Sequence, residues 1–387
     1  MSQNKFGRRR FMTQGVATVL PLIDPVPMSC VPCQPREVAL SDRSTDTRAY
    51  EEIRRLRVDN YINAVAWNAD GSRLAALSDF GGTVTLWDSH SWAVAKEFHR
   101  YGGAYSGNSL AFLPDGTLLT TAPGGISPDP RYATLEIFSL IQWNAETGQA
   151  VRYIPDLEHL PKDLSGKIGP TDTFVVSADG SLIASILGGN VCLFETHSWS
   201  VARLFATPPT PKHPDFALSL AISPNGRQIA VGTGFGYVHL FGIDDRAPAL
   251  SFSAYADDIV PPLRPRPSCN AIAFSPDGQI LATGKGLIDI QETDDGWIRL
   301  WRVEDGALVV RLTGGKDSAR TIAWSPSGDR LAVGDNWTLR LWQISGMPQP
   351  EQQPQMLKKI RDKSYSVAFS PSGVLAASDA AEVVIYA

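Results

Sequence analysis

Seven copies of a short turn, each closing on a glycine, recur along this chain. They are Ala69-Asp70-Gly71, Pro114-Asp115-Gly116, Ala178-Asp179-Gly180, Pro224-Asn225-Gly226, Pro276-Asp277-Gly278, Pro326-Ser327-Gly328 and Pro371-Ser372-Gly373. Glycine tolerates the positive φ of a tight hairpin, and Asp, Asn or Ser can bond the neighbouring backbone. Strand-like apolar segments flank each turn, such as residues 271–274 before and 280–282 after the fifth. The turn glycines lie 45–64 residues apart, and the shortest intervals approach the period of about 40–45 expected for one blade of four strands. A third strand ends each unit on an aromatic: Trp87, Trp143, Phe194, Phe241, Trp301, Trp342 and Tyr386. A fourth follows, as in residues 201–205 or 308–312. Four antiparallel strands per unit, repeated seven times, predict an all-β fold: a seven-bladed β-propeller over residues 50–387.

The seventh unit stops after its third strand, residues 383–386, and lacks a fourth. Residues 52–58 precede the first unit, carry the fourth-strand pattern and have no other partner. Pairing the two would complete the last blade from both ends of the repeat region and cover an exposed edge.

The repeats resemble those of the WD-repeat family. Residues 323–328 through 339–342 follow the family pattern, as does Thr83-Val84-Thr85-Leu86-Trp87-Asp88. The likeness extends over residues 50–387. The Trp-Asp pair itself occurs only at Trp87-Asp88, and the family's Gly-His pair is absent from every unit. The buried His–Asp hydrogen-bond network that the resemblance implies therefore does not carry over. The Ser-Pro-Asp-Gly turns also resemble the propeller of the bacterial periplasmic Tol system.

The first 49 residues do not follow the repeat. Arg8-Arg9-Arg10 precedes Phe11-Met12 and a modest apolar stretch from Gly15 to Ile23, the layout of an export signal. The order Arg8-Arg9-x-Phe11-Met12 resembles the twin-arginine signal, which implies export of a folded protein to the periplasm or cell envelope. The alternative is a disordered basic tail on a cytoplasmic protein. Residues 1–30 are thus expected to be the signal segment and 31–49 a flexible linker. Cys30 and Cys33 stand alone as a C-x-x-C without the second pair of a zinc site. They are expected to be linker thiols, with lipidation of Cys30 left open.

Composition narrows the partner class. The chain has 387 residues, 35 Lys and Arg against 40 Asp and Glu, and a net charge of −5. Nucleic-acid binding is not expected from that balance. No apolar run is long enough for a transmembrane helix. Four cysteines do not make a disulfide scaffold.

Insertions mark a candidate surface. Strand parity puts the second-to-third turns and the links between blades on one face of the ring. Long insertions at residues 123–135, 155–172, 207–215, 254–270 and 285–296 all fall there, whereas 345–354 falls on the other. Phe80, Tyr132, Phe235, Trp297 and Trp337 lie at or beside second-to-third turns of the loaded face. They form a candidate aromatic rim for a protein or peptide partner. The alternative is that these rings pack between blades. Arg264 and Arg266, stiffened within a proline-rich run, could anchor an acidic partner.

Signals for catalysis are sparse. The sequence lacks a Gly-x-Ser-x-Gly elbow, a His-Glu-x-x-His motif and a phosphate-binding loop. His159 and His213, with Asp215, Asp257 and Asp258, form the alternative: a small-molecule hydrolase or metal-dependent enzyme at the central channel. Asp289, Glu292, Asp294 and Asp295 lack the spacing of a calcium loop, so a solvated acidic loop is expected. The leading expectation is a monomeric, non-catalytic scaffold with no cofactor.

Overall fold

All seven turn glycines have positive φ, from 68° at Gly226 to 87° at Gly373. In five turns the preceding Asp or Asn closes a small ring by accepting the amide two residues on, at 2.8–3.0 Å: Asp70 from Ser72, Asp115 from Thr117, Asp179 from Ser181, Asn225 from Arg227 and Asp277 from Gln279. Ser327 and Ser372 instead meet the hydroxyls of Ser325 and Ser370, at 3.1 and 2.9 Å. Each sequence therefore makes its hairpin through local side-chain bonds.

The computed structural model describes residues 50–78, 82–99, 109–121, 140–154, 173–187, 189–209, 214–255, 267–286, 297–312, 317–344, 354–360 and 364–387. These residues form seven four-stranded antiparallel sheets and no helix. Blade 1 comprises Ile62–Trp67, Arg73–Ser78, Thr83–Asp88 and Val94–His99. Blade 4 comprises Ala217–Ile222, Gln228–Thr233, Tyr237–Gly242 and Leu250–Ser253. Blade 5 comprises Ser268–Phe274, Ile280–Gly286, Ile298–Arg302 and Leu308–Leu312; blade 6 comprises Thr321–Trp324, Arg330–Gly334, Leu339–Gln343 and Gln355–Ile360. The inner strands of blades 2, 3 and 7 are Leu110–Phe112, Phe174–Val176 and Val367–Phe369. The seven-bladed propeller expected from the repeat is the fold.

The strands are apolar on both faces because each blade is buried between two others. One core cluster fills each of the seven junctions. The third-strand aromatics supply the bulk. Trp87 packs at the junction of blades 7 and 1, Trp143 between 1 and 2, Phe194 between 2 and 3, and Phe241 between 3 and 4. Trp301, Trp342 and Tyr386 complete the circuit. Polar partners vary beneath this regularity. The indoles of Trp143 and Trp301 donate to Thr120 and Thr283, each at 2.9 Å. Val333 occupies the matching position in blade 6, two residues past the partner of Trp342 in the ladder. The Trp342 indole is consequently buried without a partner among the described residues. Blade 5 builds a buried network without histidine: the Tyr255 hydroxyl meets Thr283 Oγ1 at 3.0 Å and donates to the Thr283 carbonyl at 2.9 Å.

The ring closes as the sequence predicts. Glu52–Arg57 pairs antiparallel with Glu382–Tyr386 and becomes the fourth strand of blade 7. The ladder extends through reciprocal bonds between Glu51 and Ala387, both 3.1 Å.

Candidate functional site

The inner strands all begin on the same face, and their first residues surround the mouth of the central channel. Asn63, Thr173, Leu218, Asn270, Ala319, Arg320 and Tyr365 line a cavity there of about 350 Å³. Asn63, Leu218, Asn270, Arg320 and Tyr365 each stand five residues before the turn-opening residue of their blade (Asn68, Ser223, Ser275, Ser325 and Ser370). They are one repeat position presented around a ring. Asn108 and Asp172 hold that position in blades 2 and 3 and lie outside the described residues. Arg320 is exposed and is the only charged residue of the described lining. Its Nε donates to Asn336 Oδ1 at 3.0 Å, and Asn336 Nδ2 donates to Asp317 Oδ2 at 2.7 Å.

Among the described residues, four exposed large apolar side chains lie on this face. Tyr61 precedes the inner strand of blade 1, Phe216 and Leu218 open that of blade 4, and Trp337 caps the second-to-third turn of blade 6, where it is 61% exposed. The other four, Ile53, Val94, Val151 and Leu204, sit singly on outermost strands. Scattered apolar groups are ordinary on a protein surface, whereas grouped ones mark contact sites.

At blade 6 the turn is held by a buried carboxylate. Asp335 Oδ1 accepts the amides of Trp337 and Thr338 at 2.7 and 2.6 Å; Oδ2 accepts the Thr338 hydroxyl and Arg340 Nη1, both at 2.8 Å. The side chains of Asp335 and Arg340 are each only 2% exposed. The Arg340 guanidinium also lies 4.9 Å from the centre of the Trp297 ring. Trp297 is 3% exposed and donates its indole N–H to the Asp317 carbonyl at 2.6 Å. It therefore bridges blades 5 and 6 and contributes no rim surface; the alternative of packing between blades holds for this residue.

Blade 4 uses Asp215 in a related way. Oδ1 accepts the amides of Phe216 and Phe235, at 2.8 and 3.2 Å, and the two rings meet edge to face at 6.1 Å. Gly234 makes room, since a Cβ there would lie 2.4 Å from the Phe216 ring. Phe235 is half-buried, while Phe216, which the sequence reading missed, is the more exposed ring. Asp215 Oδ2 and His239 Nε2 are both buried without a hydrogen-bond partner among the described residues. His239 Nδ1 meets Ser251 Oγ at 2.8 Å. Burial lowers the His239 pKa from 6.5, against an opposing pull from the Asp215 charge. The unfolded chain thus binds this proton more readily than the native one. Stability should fall as pH drops through about 6.5 and level off below the depressed native value, with a slope of at most about 1.4 kcal/mol per pH unit. Urea unfolding from pH 5 to 8 checks this, with His239→Gln expected to remove that limb. Coincident wild-type and variant slopes would refute it.

Of the remaining sequence candidates, Phe80, Tyr132, Arg264 and Arg266 lie outside the described residues, as do His159, His213, Asp257, Asp258, the acidic loop and the whole of residues 1–49. Asp215, the described member of the alternative metal set, engages backbone amides through Oδ1. Among the described residues no group of three His, Cys, Asp or Glu side chains could hold a metal ion. Cys192 and Cys269 are buried, and burial pushes both thiols up to about 12, so neither is a thiolate near neutrality. No helix among the described residues is long and apolar enough to cross a membrane.

Residues 51–88, 265–302 and 306–343 match the family model for the WD domain, G-beta repeat. The first segment starts in the closing strand of blade 7 and ends with the third strand of blade 1, so the sequence repeat straddles two blades. Telomerase protein component 1 of Rattus norvegicus is 25% identical over 291 residues, covering 74% of this chain and 9% of that protein; the Mus musculus protein gives the same figures. The Periodic tryptophan protein 2 homolog of Neurospora crassa is 30% identical over 111 residues, 28% of this chain and 11% of that protein. The chain thus spans about a tenth of the length of these curated relatives. Among solved structures, the Cps50 (Swd1) beta-propeller domain of Myceliophteria thermophila superposes with a TM-score of 0.64 at 16% identity, covering 87% of this chain and 99% of that one. The chain contains WD40 repeats and shares the propeller fold.

Proposed function

We propose that this protein is a non-catalytic interaction scaffold whose loop-rich face binds a protein or peptide partner. One observation carries the reading: Tyr61, Phe216, Leu218 and Trp337 are exposed on the face that carries the channel mouth, and Leu218 lines that mouth. Large side chains held in place by packed strands lose little entropy on contact and give up much apolar surface, which is how interface hot spots work. The Asp335 and Asp215 carboxylates fix the backbones of Trp337 and Phe216 before any partner arrives.

The test is affinity capture with the full chain, followed by quantification of the co-purifying proteins. A Trp337→Ala/Phe216→Ala double variant should recover its partner at least about tenfold less well. Its melting temperature should fall only modestly, since Trp337 is mostly exposed and Phe216 about half exposed. Undiminished recovery by a folded double variant would place the partner elsewhere on the propeller.

A further inference from the structure

Arg320 stands apart from the other lining residues of the channel mouth. Its described neighbours there are Asn63, Thr173, Leu218, Asn270, Ala319 and Tyr365, so Arg320 is the one ion among the described lining residues. The chain as a whole carries a net charge of −5.

The guanidinium is also aimed. Asn336 holds Nε at 3.0 Å, Asp317 holds Asn336 at 2.7 Å, and the backbone amide of Ser318 holds Asp317 Oδ1 at 2.6 Å. Asp317 is anchored again through its carbonyl by Trp297. A relay of this kind fixes the plane of the fork. No carboxylate among the described residues forms an ion pair with Arg320. Asn270 adds a second donor: its Oδ1 already accepts from Ser268 at 2.6 Å, which turns its amide N–H groups to other partners.

We propose that the channel mouth receives an acidic side chain, aspartate or glutamate, of a bound peptide, with its carboxylate on the terminal nitrogens of Arg320. This rests on the docking reading above and names the chemistry at its centre. A planar fork pairs with a carboxylate through two parallel charge-assisted bonds. A single guanidinium balances one carboxylate, whereas a phosphate dianion would keep uncompensated charge in the cavity. The apolar flanks at Leu218 and Phe216 call for an apolar residue near the acidic one in the peptide.

The probe is an array of nonapeptide mixtures, each fixed at one position as acidic, basic or neutral and read with the full-length protein. Acid-fixed mixtures should bind at least about tenfold more strongly than neutral ones. Arg320→Gln should remove that preference, Arg320→Lys should restore it in part, and added salt should weaken it. Preference for basic mixtures, or an acidic preference intact in Arg320→Gln, would overturn the assignment alone. If no mixture binds, or binding survives Trp337→Ala/Phe216→Ala, the docking reading fails and the assignment with it.

Discussion

Deletion of residues 50–58 is expected to abolish cooperative folding of the propeller. These residues do more than add an edge strand. Leu56 is buried at the junction of blades 7 and 1, in the cluster that holds Ile62, Leu74 and Trp87. Tyr50 is buried at the junction of blades 6 and 7, donates its hydroxyl to the Gly373 carbonyl at 2.7 Å, and lies beneath the Arg330 guanidinium, 4.8 Å away. The segment thus seals two of the seven junctions as well as completing blade 7. Tyr50 accepts a φ of 66° to do so, a backbone cost of about 1–3 kcal/mol that only its surrounding contacts can offset. Losing both seals removes an amount comparable with the roughly 5–15 kcal/mol that stabilises an ordinary domain. Leu56→Ala gives a graded version, with an expected loss of about 2–5 kcal/mol. Differential scanning calorimetry reads both. An unchanged transition in the deletion variant would mean that the ring is held by its other junctions. The surface pairs of Arg55 with Glu52, Asp379 and Glu382 are expected to matter far less, because they are solvent-exposed.

The glycine turns and terminal aromatics made the blades legible because they answer to local backbone geometry and to a burial that recurs in every unit. The closing strand was legible for a related reason: a blade missing one strand leaves an edge that something must cover. Site residues were harder. Trp297 and Trp337 both follow a second-to-third turn, yet one is buried and the other exposed. The difference is one residue of register: Trp297 stands four before Trp301, while Trp337 stands five before Trp342. Thr338 occupies the place of Trp297 in blade 6, and it too is buried, at 8%. Side chains alternate along a strand, so an offset of one redirects the ring. Aligning the repeats on the third-strand aromatic would have separated the two. The same alignment, taken from the turn, gathers the mouth residues Asn63, Leu218, Asn270, Arg320 and Tyr365. Phe216 gave no such signal. It begins an apolar run, and how far it is covered depends on Gly234 and Phe235 approaching from the adjacent hairpin turn.

Asp335 is where fold and proposed function meet, and replacing it should damage both. Asp335→Ala is expected to cost about 3–5 kcal/mol, the usual penalty for stripping one partner from a buried ion pair. Arg340 would keep its charge at 2% exposure, with Nε already buried and unpartnered among the described residues. The Trp297 ring face would remain beside that charge, but a cation–π contact supplies only a fraction of what a carboxylate does. If the charge is the main liability, Arg340→Met added to Asp335→Ala should recover much of the stability, because an apolar side chain does not need the carboxylate. Strictly additive losses in this cycle would instead show that the two residues act independently. Binding should follow a different course. The amides of Trp337 and Thr338 lose their acceptor in the single and the double variant alike, so the turn that presents Trp337 loosens in both. Partner capture should therefore stay low in the double variant even as its melting temperature rises. That separation is the signature expected of a carboxylate that neutralises a buried charge through one oxygen and positions a contact residue through the other.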